Sequence, residues 1–140
     1  MVYNPRAMSI VKTKYRGSKE YVVVLAELVR AAQYRGTVTY QEIAPMMGLR
    51  VIGAYMGVEV GQLVGEISED EVNANRPMLS AVVVGTSGEP GPGFYALARG
   101  LGLMKTGDEE RKFWRAQLDA VYQTWQRPLM EQVSAKAQAS

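Results

Sequence analysis

Apolar residues recur at helical spacing in two parts of the chain and predict its first and last helices. The first helix starts after Ser18, which is the expected N-cap, and runs to about Ala32. The last helix is predicted to begin near Asp108. Its apolar face consists of Trp114, Leu118, Val121, Tyr122 and Trp125. We favour core packing or a partner surface over base stacking as the role of the two tryptophans.

The longest predicted helix starts at Gly53 and has one face without side chains. Its glycines recur at every fourth residue: Gly53, Gly57, Gly61 and Gly65. Each helix-interior glycine costs about 1 kcal/mol relative to alanine, so we expect a close neighbour. That neighbour is either another helix of the same domain or a nucleic-acid groove. Acidic residues from Glu59 to Glu71 would repel phosphates, which favours internal packing.

Shorter elements complete the predicted order. Thr39 and Glu42 have capping-box spacing, so a helix starts at about Tyr40, directly after a short strand 37–40. A buried strand is predicted over 79–84, then a turn-rich loop 86–93 and a short helix 94–101. This order predicts an α+β fold of winged-helix-like type, rich in helix, with a C-terminal amphipathic helix. The expected organisation is a basic arm 1–17, one domain 18–127 and a frayed tail 128–140.

Composition excludes several kinds of site. The 140 residues include no cysteine and no histidine. Disulfides, thiolate nucleophiles, Cys/His zinc sites and imidazole acid–base catalysis are therefore excluded, and we expect a non-enzymatic protein without cofactor or metal. We find no apolar run of bilayer length and no signal peptide, so we expect a cytoplasmic protein that does not enter a membrane.

The net charge of +2 is small, but the basic residues are unevenly placed. The first 19 residues contain no acidic residue. This arm is either a solvated terminus or a segment that lies along phosphates. The candidate nucleic-acid contacts are Arg6, Lys12, Lys14, Arg16, Lys19, Arg50 and Arg76.

A second candidate site lies in the glycine-rich loop that precedes the short helix. Backbone N–H groups at a helix start attract anions, and glycine permits close approach. The residues of this possible ligand or anion loop are Ser80, Gly88, Gly91, Gly93 and Arg99. A plain turn or wing is the favoured alternative, because Pro90 and Pro92 each lack a backbone donor.

The segment from Gly36 to Gly93 resembles the DNA-binding domain of the alkylguanine-DNA alkyltransferases and alkyltransferase-like proteins. The run TVTYQEIA at 37–44 is similar to their strand-to-helix entry, and 53–65 to their recognition helix. The resemblance implies a winged-helix fold and places Ser80 near the position of the alkyl acceptor. Because the reactive cysteine and its histidine are absent, alkyl transfer to the protein is not expected.

The runs RPMLSA at 76–81 and PGPGF at 90–94 also resemble small uncharacterised bacterial and phage proteins, which implies no particular function. The leading prediction is a non-enzymatic DNA-binding or other nucleic-acid-binding protein. The alternative is a protein-interaction module that regulates or inhibits a partner, with phage–host conflict as one setting. Its surface would be the acidic helix end, or a homodimer or partner contact through the helix that carries Trp114 and Trp125.

Overall fold

A computed structural model describes residues 9–127 of the chain. The helices are α1 (Lys19–Gln33), α2 (Tyr40–Ile43), α3 (Gly53–Asn73), α4 (Pro92–Gly100) and α5 (Glu110–Trp125). Two 3₁₀ turns span Ala44–Met47 and Leu79–Val82, and the strands are β1 (Val38–Thr39) and β2 (Val83–Val84). Arg6 and the tail 128–140 lie outside the described residues, as does the start of the predicted arm.

Local capping signals place the first helices correctly. The Ser18 hydroxyl accepts a hydrogen bond from the backbone N–H of Tyr21 and starts α1. At α2, Thr39 and Glu42 form the complete reciprocal capping box. Gly48 ends the following 3₁₀ turn in the left-handed conformation, with φ of 72°. These ends were predictable because each depends on residues only a few positions apart.

The predicted strand 79–84 is wrong over most of its length. Only its last two residues form a strand, β2, which pairs in parallel with β1 through Val38–Val83 and Thr39–Val84. The preceding 3₁₀ turn is held instead by the backbone N–H of Ser80, which donates to Ser68 Oγ in α3 at 2.8 Å. The apolar run is buried, but burial alone does not distinguish a strand from a buried turn.

The amphipathic helix α5 packs against α1 and the 3₁₀ turn 79–82. Trp114 is buried, and its Nε1–H donates to the carbonyl of Ala81 at 2.8 Å. The Tyr122 hydroxyl donates to the carbonyl of Gly36 at 2.8 Å. Trp114, Val121 and Tyr122 therefore belong to the core, whereas Trp125 is partly exposed, and a homodimer or partner contact through Trp114 and Trp125 stays a prediction.

The described part of the chain is rich in helix and has one small parallel sheet, an arrangement compatible with an α+β fold. The loop at the predicted wing position is a closed turn, in which Gly85 N–H donates to the carbonyl of Glu89 at 2.9 Å. The winged-helix type stays a prediction. Within residues 9–127, no helix combines the length and the apolar character needed to cross a bilayer.

Candidate functional site

The arm, residues 9–18 of the described chain, folds back over the carboxylates of α3. The centre of this contact is Glu66 of α3, whose side chain is fully buried. Glu66 accepts the consecutive backbone N–H groups of Lys14, Tyr15 and Arg16, the shortest at 2.9 Å, and the Gln62 side-chain amide at 2.9 Å. A buried carboxylate is costly unless its oxygens are hydrogen-bonded, and here the arm supplies the donors.

Glu69 and Asp70 bind both ends of the same arm. Glu69 accepts the Ser9 hydroxyl at 2.5 Å and the backbone N–H of Ile10 at 2.8 Å. The guanidinium of Arg16 joins the two acids, at 2.7 Å from Glu69 and 3.0 Å from Asp70. Burial alone would raise the pKa of Glu69, but these hydrogen bonds outweigh it and hold the pKa below its ordinary value.

At the tip of the arm, Lys14 and Tyr15 hold Glu59. The Lys14 ammonium lies 2.6 Å from a Glu59 oxygen, which also accepts the Tyr15 hydroxyl. The hydrogen bond from Lys14 lowers the pKa of Glu59, and the same bond raises the pKa of Lys14. We call the four acids Glu59, Glu66, Glu69 and Asp70 the carboxylate face of α3.

The predicted nucleic-acid cations therefore divide into two groups. Lys14 and Arg16 are held by the carboxylate face, and Arg76 pairs with Glu71 at 2.5 Å and lies over the ring of Trp125. Lys12, Lys19 and Arg50 are exposed. The arm is thus anchored to the protein's own acids over most of its described length, and Glu66, Glu69 and Glu71 at the acidic end of α3 are buried.

The four regularly spaced glycines of α3 differ in their surroundings. Gly53 has φ of +81°, so its glycine is explained by a left-handed backbone. A Cβ at Gly65 would meet Leu97 at 3.9 Å, an ordinary contact. At Gly57 and Gly61, a Cβ would find no heavy atom of residues 9–127 within 4 Å apart from its own chain neighbours and the adjacent backbone of α3. The expectation that the ridge packs tightly inside the domain is therefore wrong at these two positions.

An open groove of about 410 Å³ lies beside these bare glycines. Its α3 side is formed by residues that we call the glycine face: Ala54, Gly57, Val58 and Gly61. Met56, Tyr40 and Gln41 of α2, and residues 91–93 at the start of α4 form the rest of the wall. Within the described chain, the Gln41 Oε1 atom is buried without a hydrogen-bond partner. The groove thus has a largely carbon lining.

Apolar side chains protrude next to this groove. Ile52 is 72% exposed, Tyr55 66% and Val58 64%. Tyr55 and Val58 are three residues apart and so are neighbours on the surface of α3, and Ile52 immediately precedes the helix. The single charged residue between 51 and 64 is Glu59, which the arm covers. α3 therefore buries acids together with its apolar core residues, and exposes other apolar residues near its start.

The residues of the predicted anion loop are not brought together. Ser80 is buried in the core, where it bonds Ser68, and Arg99 pairs with Glu110 at 3.2 Å. Gly88 is in the closed turn with φ of +84°. Gly91 and Gly93 line the groove, and a Cβ at Gly91 would approach the Tyr40 hydroxyl to 3.3 Å. No acid cluster within 9–127 has the geometry of a metal site.

The exposed apolar side chains were the functional feature that sequence reasoning missed. Their spacing of three was visible beside the glycine repeat, but apolar residues at helical spacing are normally assigned to a core. Comparisons with protein-family models, curated proteins and solved structures found no match to this chain.

Proposed function

We propose that the chain is a protein-interaction module that binds an apolar helical segment of a partner against the glycine face. The observation that carries the proposal is the open space at Gly57 and Gly61. Both lie inside α3, where glycine costs about 1 kcal/mol relative to alanine. Nothing among the described residues requires their lack of a side chain, so the compensating contact would come from outside residues 9–127, and the proposal assigns it to a partner.

A helix is the partner element that uses such a surface best. Small residues at every fourth position let two helix backbones approach closely, which increases their van der Waals contact. The protruding Ile52, Tyr55 and Val58 add apolar area beside the groove. Exposed apolar patches of this kind are typical of interaction sites, and the patch has no free charge that would demand a charged partner.

The groove also specifies the chemistry of what enters it. Its lining favours an apolar side chain from the partner helix, because Met56, Pro92 and the glycines offer little hydrogen bonding. A partner with an apolar face fits this arrangement. A role in regulating or inhibiting that partner remains a prediction.

Site-specific photo-crosslinking in cells tests this proposal. A benzophenone amino acid replaces Tyr55 in one variant and Tyr34 in the control, and both tyrosines are 66% exposed. We expect irradiation to give a discrete protein adduct from position 55 and none from position 34. No adduct from position 55, or equal adducts from both, would overturn the proposal.

Nucleic-acid binding by a winged-helix-like domain remains the competing proposal. It is supported by the exposed Lys12, Lys19 and Arg50, of which Arg50 lies just before α3. It is opposed by the apolar residues on the exposed side of that helix, which offer no charge to phosphates. Anisotropy titration of duplex and single-stranded DNA at low salt distinguishes the two, since saturable binding lost on replacing Arg50 would favour this alternative.

A further inference from the structure

We infer that the arm is a detachable strap, which swings away from α3 as one unit about Gly17 while the rest of the domain stays folded. This motion involves the carboxylate face and is independent of the proposed function. Three features of the structure support it: the arm buries little apolar surface, Arg16 connects its two ends, and its joint to α1 is a glycine.

The arm contributes little to the hydrophobic core. None of residues 9–18 is buried, and this segment contains no helix and no strand. Ile10 is 51% exposed, and Tyr15 packs only partly against the core. The arm is held mainly by hydrogen bonds and ion pairs to acids, such as those that Glu66 accepts from its main chain. Segments with few buried apolar contacts open at a lower free energy than the core.

The guanidinium of Arg16 connects the two ends of the arm to α3. Its Nη1 donates to the carbonyl of Val11 at 3.0 Å and to Thr13 Oγ1 at 2.8 Å. The same guanidinium lies 2.7 Å from Glu69 and 3.0 Å from Asp70. Because one group holds both ends, loss of the contacts at one end weakens the other. The arm therefore opens as a unit and not residue by residue.

The joint between the arm and α1 permits this motion without disturbing the helix. Gly17 is exposed and has φ of +84°, in the left-handed region that glycine adopts readily. The next residue, Ser18, caps α1 with its own hydroxyl, which accepts the backbone N–H of Tyr21. This cap does not involve residues 9–17, so α1 keeps its start when the arm leaves.

Two acids of the carboxylate face have partners that remain after opening. Glu66 keeps the side-chain amide of Gln62, which donates at 2.9 Å from within α3. Asp70 keeps the hydroxyl of Tyr21, which donates at 2.5 Å from α1. Opening also admits water to these oxygens, so the exposed acids are solvated. The open state therefore leaves neither carboxylate buried without a donor.

Glu59 is the acid whose surroundings change most on opening. The partners that the structure gives it are Lys14 and Tyr15, and both belong to the arm. Glu59 lies one helical turn after Tyr55, which is 66% exposed. Opening therefore exposes a carboxylate beside the apolar residues at the start of α3. The strap acts as a switch of charge at this edge of the helix.

Hydrogen exchange of the full chain, followed residue by residue by NMR, tests the inference. We expect one common opening constant for the arm amides, at least about a hundredfold larger than that of Leu63 and Val64 in the core of α3. Equal constants in arm and core, a steady gradient along the arm, or no protection in the arm would overturn it. The reporting amides all donate to Glu66 or Glu69: Ile10, Val11, Lys14, Tyr15 and Arg16.

A core variant separates opening of the arm from global unfolding. Ile43→Val removes a buried methylene group from α2, away from the arm, and should raise the opening constant of Leu63 and Val64 about fivefold. It destabilises the domain equally whether the arm is closed or open, so the arm amides should not change. An equal increase at the arm amides would show that the arm leaves only when the domain unfolds.

An arm variant tests whether the strap moves as one unit. Arg16→Gln removes the ion pairs to Glu69 and Asp70 and should raise the opening constant of all five arm amides by the same factor, about tenfold. The matched control is Arg30→Gln, which breaks a surface pair with Glu27 at 3.4 Å and should leave the arm amides unchanged. Faster exchange only beside position 16, or equal effects of the two variants, would overturn the single unit.

Discussion

The two faces of α3 have opposite relations to solvent. The carboxylate face is buried and fully engaged by the arm, whereas the glycine face and its apolar neighbours are open. α3 therefore departs from the usual pattern in two ways, because it buries acids beside its apolar core residues and leaves other apolar residues exposed. The comparison teaches that the carboxylate face contributes to the folding of the chain itself, whereas the glycine face and its apolar neighbours are open to solvent.

Replacing Glu66 should have the largest effect on stability. Glu66→Ala leaves the backbone N–H groups of Lys14, Tyr15 and Arg16 without their acceptor, and we expect the free energy of unfolding to fall by about 3 kcal/mol. Urea denaturation measures this change. The control is Glu27→Ala, which removes only a surface pair with Arg30 at 3.4 Å and should cost less than about 1 kcal/mol.

If both glutamate variants lost the same small amount, the carboxylate face would not be a structural element, and the contrast between the two faces of α3 would disappear. A large loss in Glu66→Ala alone would confirm that the arm is part of the folded domain.

Acid should weaken the contacts between the arm and α3 by protonating Glu59 and Glu69. The pKa values of Glu59 and Glu69 lie below their ordinary value of 4.5 in the folded protein. The unfolded chain therefore binds more protons in acid, and the stabilisation present above pH 4.5 is lost as the pH falls through the folded pKa values. We expect a lower urea midpoint at about pH 3.5 than at pH 7.

The double variant Glu59→Gln with Glu69→Gln provides the control for this pH dependence. It should be less stable at neutral pH and should show a smaller difference between the two pH values. An unchanged pH dependence in the double variant would show that other groups cause the acid sensitivity.

Substitutions of Gly57 and Gly61 should change the free energy of unfolding less than Glu66→Ala does, and in the opposite direction. Gly57→Ala and Gly61→Ala should each raise the free energy of unfolding by about 1 kcal/mol, since alanine favours a helix and meets no described atom. Gly53→Ala should lower it by about 1 to 2 kcal/mol, because φ is +81° at that position. Urea denaturation at low protein concentration measures the free energy of unfolding of all three variants. Loss of stability in Gly57→Ala would mean that the groove is filled by this chain.

Local features of the fold could be predicted from the sequence, whereas contacts between distant segments could not. The caps at Ser18 and Thr39 depend on neighbours three residues away, and both were predicted correctly. The arm meets α3 across about 50 intervening residues, which no local pattern specifies. The basic residues of the arm and the acidic residues of α3 were both visible in the sequence. Because charged residues normally face solvent, a contact between the two segments was not predicted.

The candidate site was predictable only in part, for a related reason. The glycine repeat indicated a close approach, and that expectation still motivates the proposal. The sequence could not show which atoms surround Gly57 and Gly61, because the nearby wall comes from α2 and residues 91–93 at the start of α4. The prediction of a strand over 79–84 was wrong for a similar reason, since a contact with Ser68 in α3 holds Ser80 in a turn.

The way in which Glu66 holds the arm has a consequence for tolerance to substitution. Its three partners from the arm are main-chain amides, so the contact does not depend on which side chains stand at positions 14, 15 and 16. Many residues at these positions would preserve it. Proline is the exception, because it lacks the N–H group that Glu66 binds. Glu66 thus binds the main chain of the arm. The side chains at these three positions can vary while this contact to α3 is retained.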